Sequence, residues 1–61
     1  MKLRDLLEQF DVLQRVRIVH GEEAVDGVVC AMLKLLSEET FGLEVECAAA
    51  SDSVLKVWVE G

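Results

Sequence analysis

The sequence predicts a small α+β domain of two layers, in which helices cover one face of an antiparallel sheet. Three patterns lead to this expectation. An amphipathic helical pattern opens the chain, several segments alternate apolar and polar residues as strands do, and a leucine-rich middle segment has helical spacing. The 61 residues form one domain, 1–61, because a chain this short builds a single small core. The expected order of elements is α-β-β-α-β-β.

The first element is a short amphipathic helix. Apolar residues recur at positions i, i+3, i+4 and i+7, which places them on one face of a helix, and charged residues occupy the other face. The apolar residues are Leu3, Leu6, Leu7 and Phe10. A helix of this length is held by packing rather than by its own propensity. We expect it to end near Phe10 or Asp11.

The next segment, "QRVRIVH", alternates with the period of a strand. Val16 and Ile18 point to one side of the chain, and Arg15 and Arg17 point to the other. This pattern is typical of a strand that has one face in the core and one face in solvent.

Two further strands are predicted near the C-terminus. The segments "LEVEC" and "VLKVWVE" both alternate, and "AAASDS" between them ends in turn-forming residues, so they predict an antiparallel hairpin. Cys47 and Val57 are expected to face the core, whereas Lys56 and Trp58 face outward. We also expect opposite charges to meet on neighbouring strands, which stabilises strand pairing. The outward charges are Arg15 and Arg17, Glu44 and Glu46, and Lys56 and Glu60.

Two templates compete for residues 22–36. In one, a single long helix begins in the acidic segment 22–26, where the helix dipole favours acids, and the order becomes α-β-α-β-β. In the other, residues 15–20 and 23–27 pair as an antiparallel hairpin, and the helix begins after Gly27. A glycine inside the long helix would cost about 1 kcal/mol. Periodicity alone does not separate the two templates.

The order of these patterns resembles that of small, acidic, uncharacterised proteins of gram-positive bacteria and their phages. The similarity covers most of the chain, and the matching segments are "LRDLLEQF", "RVRIVHG", "AVDG", "VVCAMLKLL", "LEVEC" and "VLKVWVE". The resemblance implies the hairpin template for the middle segment. It implies no activity, because such proteins have no established function.

No residue pattern specifies catalysis, a cofactor or a metal. His20 lies near Glu22, Glu23 and Asp26, but zinc sites usually combine several His or Cys ligands. We therefore expect residues 20–26 to bind no metal specifically. Cys30 lies at the start of the proposed helix, but within an apolar run, where cysteine behaves as a small hydrophobic residue. We predict no catalytic or cofactor-binding residue and no enzyme activity.

The composition favours a cytoplasmic protein. Cys30 and Cys47 lie in apolar stretches and are expected to be reduced and mostly buried. The start "MKLRDLLEQF" has no signal-peptide core, and no apolar run approaches the roughly 20 residues that span a bilayer. The net charge of −6 disfavours nucleic acid and anionic membranes as partners.

The helical segment "VVCAMLKLL" is a candidate interface. It carries one charge, Lys34, and a helix that is apolar on nearly every side is normally buried on nearly every side. One sheet can cover only one side of it. The uncovered residues, Val28, Ala31 and Leu35, predict self-association, most simply as a homodimer.

Trp58 marks a second candidate interface. By alternation it shares the outward sheet face with Arg15 or Arg17. It either packs across the arginine stems or contacts a protein partner, since Trp and Arg are enriched in binding hot spots. The sequence therefore predicts a non-enzymatic structural or interaction protein that self-associates. The alternative is an accessory or regulatory module that binds a protein partner through Trp58, and a metal- or thiol-dependent activity is a distant third.

Overall fold

A computed structural model describes residues 1–60 as seven short elements around one sheet. The helices are α1 (Leu3–Leu7), α2 (Val29–Leu35) and α3 (Glu38–Phe41); the strands are β1 (Arg15–His20), β2 (Glu23–Val28), β3 (Val45–Ser51) and β4 (Val54–Val59). The α+β class is confirmed, and α3 is added to the predicted order. Among residues 1–60, no helix is long and apolar enough to cross a membrane.

The sheet has the strand order β2-β1-β4-β3 and is mixed. β1 and β2 form one antiparallel hairpin and β3 and β4 form another, whereas the central strands β1 and β4 run parallel. The prediction of a purely antiparallel sheet was wrong at this central pair. Alternation determines which residues of a strand share a face, but it does not determine the direction of the neighbouring strand. A parallel neighbour requires a crossover connection, and the chain between β1 and β4 includes β2, α2, α3 and β3.

The hairpin template for the middle segment is confirmed. β1 pairs with β2 from His20↔Glu23 to Arg15↔Val28, and α2 begins at the next residue. Gly21 in the connecting turn has a φ of 64°, which glycine adopts at no steric cost. The single long helix over residues 22–36 is therefore excluded.

One core cluster joins the helices to the central strands. Ten hydrophobic residues are at most 8% exposed, and they are Leu3, Leu7, Val16, Ile18, Val29, Met32, Phe41, Leu55, Val57 and Val59. Gly27 on β2 permits a close approach to this cluster, because a Cβ at this position would lie 2.6 Å from Cε of Met32. The inward residues predicted for β1 and β4 are confirmed, because Val16, Ile18, Leu55, Val57 and Val59 all belong to this cluster.

The first and third helices differ from the sequence expectation. α1 ends at Leu7, and the chain then turns through i→i−3 bonds such as Phe10 N to Leu7 O, which tighten a helix end. Phe10 is 37% exposed and does not extend the buried stripe.

α3 was not predicted, although Ser37 caps it by accepting a hydrogen bond from Thr40 N at 3.3 Å, as serine commonly does at a helix N-terminus.

β3 is longer than predicted and begins with a bulge. The pairing shifts register between Val45 and Cys47, so the alternation restarts and Cys47 is exposed. The three alanines that were expected to form a link belong to the strand. The turn consists of Asp52 and Ser53, with φ angles of 51° and 65°, the pattern of a two-residue type I′ hairpin.

Candidate interaction surfaces

The outer face is the sheet surface whose side chains alternate with the core residues along β1 and β4. Strand register aligns its residues in three rows that run from β2 through β1 and β4 to β3. The rows are Ala24, Val19, Trp58 and Cys47; Asp26, Arg17, Lys56 and Ala49; and Val28, Arg15, Val54 and Ser51. An apolar row thus lies beside a charged row on one surface.

The charged row brings two cations together. Arg17 is in register with Lys56 on one side and with Asp26 on the other. Arg17 Nε lies 3.4 Å from Asp26 Oδ1, and both side chains are largely exposed. Opposite charges do meet at Arg17 and Asp26, a pair that was not among the predicted outward charges, whereas the expectation was wrong for the central strands, where Arg17 is in register with Lys56. Like charges directly opposite each other reduce sheet stability.

The apolar row is centred on Trp58. This half-buried side chain has Val19 and Cys47 as its register neighbours, rather than an arginine. The cation–π contact that the structure contains joins Arg4 and Phe41, with 5.5 Å from the guanidinium to the ring centroid. Trp58 is therefore partly open to solvent beside small and branched side chains.

A shallow depression lies on the outer face next to the charged row, at the row that contains Val28, Arg15 and Val54. It has a volume of about 500 Å³ and is lined by Arg15, Val16, Asp26, Gly27, Val28 and Val54. Val28 belongs to β2, opposite Arg15, so its predicted place on the apolar helix was wrong. A binding partner on the outer face would find room beside Arg15.

The second surface surrounds α2. Val29 and Met32 are buried, Ala31 is half-buried, and Leu35 is 78% exposed. The helix packs one side into the core and turns the other side outward, as the sequence predicts for Leu35, whereas Ala31 lies between the two sides. The outward side of α2 carries a large apolar side chain in water.

The loop before β1 lies against the N-terminus of α2 and carries further exposed apolar residues, which the sequence did not predict. The N-terminus of α2 is fixed to the loop by two hydrogen bonds, from Val29 N to Gln14 O at 3.0 Å and from Cys30 N to Val12 O at 2.9 Å. In the loop, Val12 is 53% exposed and Leu13 is 75% exposed. The only signal for these exposed residues in the sequence was that Val12 and Leu13 are two adjacent apolar residues outside any periodic element.

The two thiols differ in exposure. Cys30 is half-buried and Cys47 is exposed, and both are free. The prediction that both are mostly buried was wrong for Cys47, because the bulge in β3 changes the residues that face the core.

The histidine and its neighbouring acids do not converge. His20 is in register with Val59 of the core, whereas Asp26 lies on the outer face beside Arg17. Within residues 1–60, no three His, Cys, Asp or Glu side chains are grouped so that they could hold a metal ion. The expectation that residues 20–26 bind no metal stays a prediction for experiment.

Glu44, the residue before β3, forms ion pairs with the N-terminal segment of the chain. Its two carboxylate oxygens lie 2.9 Å from Lys2 Nζ and 3.0 Å from the Met1 amine. The hydrogen bond from Lys2, followed by that from the N-terminal amine, lowers the pKa of Glu44, and the same contact with Glu44 raises the pKa of Lys2. All three groups are exposed, so the network is structural rather than a buried reactive site.

Comparisons of the chain with protein-family models, curated proteins and solved structures gave no match. The resemblance of the sequence patterns to small bacterial and phage proteins therefore stays an expectation. Inferences about function rest on the two surfaces, the outer face and the apolar surface around α2.

Proposed function

We propose that the protein is a non-enzymatic interaction module that self-associates as a homodimer through α2 and the loop before β1. The observation that supports this is the exposure of Leu35, Leu13 and Val12, which are 78%, 75% and 53% exposed. Burying a side chain of this size stabilises an interface by about 1.5–3 kcal/mol relative to exposure. Three such side chains per copy give a symmetric interface a substantial driving force.

A second copy fits this surface for two reasons. A domain of this size is marginally stable alone, and association would enlarge its ten-residue core, so that stability rises with concentration. In addition, the outward side of α2 carries a single charge, Lys34, whose long stem can direct the amine to solvent. Two copies of α2 can therefore pack about a twofold axis without burying their Lys34 charges against each other.

The remaining parts of the proposal follow the sequence predictions. The helices form one layer on one face of the sheet, as their shared core cluster supports. No catalytic residue or cofactor is assigned. The proposal places the protein in the cytoplasm, as a product of a bacterium or of a mobile element. The free thiols of Cys30 and Cys47 support a reducing compartment, since such compartments keep thiols unpaired.

Sedimentation equilibrium tests the proposal with Leu35→Glu beside the wild type. The substitution places a charge in the interface, so we expect a wild-type dimer at high micromolar concentration and a monomeric variant. Ala24→Glu introduces the same charge at an exposed position of β2 and should keep the dimer mass. A monomeric wild type, or a Leu35→Glu variant of unchanged mass, would refute the homodimer through α2. Dissociation of Ala24→Glu alone would place the contact on the sheet instead.

A further inference from the structure

The outer face carries positive charge on an acidic protein. Half of the six basic residues of the chain, Arg15, Arg17 and Lys56, lie in two adjacent rows of this face, whereas the net charge of the chain is −6. Asp26 is the acid in these rows, and it pairs with Arg17. Glu60 lies beyond the end of β4, where it contributes to the raised pKa of Lys2. The outer face therefore differs in sign from the protein as a whole.

The central cation pair is unfavourable for folding by itself. Arg17 and Lys56 are opposite each other on parallel strands, and the other register neighbour of Lys56 is the uncharged Ala49. Like charges in this position oppose strand pairing. A local feature that works against the fold is typical of a surface shaped by binding, where an incoming partner supplies the missing charge.

The apolar row of the same surface contains Trp58, which is available to contact a binding partner. Trp58 is half-buried, so part of the indole ring is available beside the cations. Tryptophan and arginine are the residue types that most often dominate binding energies. The depression next to Arg15 provides space for side chains of a partner.

From this charge pattern we infer that the outer face binds an acidic segment of another protein, whose apolar side chains contact Trp58. A second copy does not fit, because a twofold contact would place the cations of Arg17 and Lys56 against themselves. Nucleic acid is disfavoured because its continuous phosphate backbone would extend beyond the two rows of cations and meet the acidic remainder of a chain of net charge −6, whereas a short acidic segment fits within these rows. The interaction adds to the proposed homodimer and uses a different surface.

Trp58 is the only tryptophan, so its fluorescence reports directly on the outer face. The probe is a synthetic peptide that repeats Asp-Glu-Leu, and its control repeats Asn-Gln-Leu. We expect a saturable fluorescence change with the acidic peptide that weakens as salt increases. Cys47, opposite Trp58, should be protected from a thiol reagent by the peptide in a Cys30→Ser background.

Charge-removing variants locate the binding surface. We expect Arg17→Gln/Lys56→Gln to bind the acidic peptide at least about tenfold more weakly, to keep the oligomer mass of the wild type, and to be no less thermally stable, because the like-charge pair is removed. Lys34→Gln removes one exposed cation from α2 and should bind as the wild type does. Equal affinity for the two peptides, no binding of either, or equal losses in both variants would overturn the inference. So would tighter binding of a single-stranded oligonucleotide, which would make the outer face a nucleic-acid surface.

Discussion

Replacing Ser53 with glycine should stabilise the protein, because the turn between β3 and β4 holds this residue in a left-handed conformation. The φ angle of Ser53 is 65°, and that of Asp52 is 51°. An L-residue in this region costs roughly 1–2 kcal/mol, whereas a glycine loses about 0.5–1 kcal/mol more conformational freedom on folding. The net gain for Ser53→Gly is therefore about 0.75 kcal/mol from the midpoints of these two ranges, and roughly 0–1.5 kcal/mol from their extremes. The hydrogen bond from Gln14 Nε2 to the Ser53 carbonyl, at 3.0 Å, uses the backbone and is retained.

Thermal unfolding followed by circular dichroism measures this effect. In a domain of about 60–100 residues, 1 kcal/mol shifts Tm by about 4–8 °C, so the central gain of about 0.75 kcal/mol should raise the Tm of Ser53→Gly by about 3–6 °C. All samples need the same protein concentration, because self-association makes Tm concentration-dependent.

Ser51→Gly is the matched control. Ser51 is the last residue of β3 and has no positive φ, so the same replacement brings only the entropic loss and should lower Tm. The two glycine variants therefore shift Tm in opposite directions. If both lower Tm by a similar amount, the strain assigned to the turn is not present.

Three further predictions concern a thiol, a carboxylate and a glycine. In the native protein a thiol reagent should label the exposed Cys47 well before Cys30; equal rates in the two single-cysteine variants would contradict the described exposures. The pKa of Glu44 is lower in the folded state, so its ion pairs stabilise the protein above the unfolded pKa, and this contribution is lost as pH falls through the folded pKa. Glu44→Gln should thus be less stable than wild type in urea unfolding at neutral pH and equally stable in acid, and a gap that persists in acid would contradict this. Gly27→Val should lose stability at the lower end of about 1–3 kcal/mol, because the atom it meets, Met32 Cε, ends a flexible side chain that is itself buried. Ala24→Val on the outer face of the same strand should be nearly neutral, and similar urea midpoints for the two would argue against the close packing.

Alternation in the sequence was sufficient to identify the core side of β1 and β4. Val16 and Ile18 in β1, and Leu55, Val57 and Val59 in β4, are all buried, because each strand is regular and has one covered face. Gly27 also marked the change from strand to helix correctly to within one residue. These features depend only on local spacing, which a sequence displays directly.

The features that sequence analysis missed depend on how distant segments meet. The bulge after Val45 is a change in main-chain pairing with β4, so the alternation of "LEVEC" could not show that Cys47 is exposed. The parallel pairing of β1 and β4 likewise depends on the crossover, and this pairing places Arg17 beside Lys56. The residues of the outer face were therefore identified in part, as Trp58, Arg15 and Arg17, but their arrangement was not.

The contacts of Glu44 bring the two ends of the described chain together. Val45 N donates to Met1 O at 2.8 Å, and Glu60 N donates to Glu44 O at 3.1 Å, so residues 1 and 60 flank the same short segment. Two strand spacings separate them, about 10 Å. A short flexible linker can span this distance, which makes the fold suited to circular permutation with a new opening at the exposed Asp52-Ser53 turn. For the same reason, the domain could be inserted into a surface loop of a host protein with little displacement of the host chain on either side.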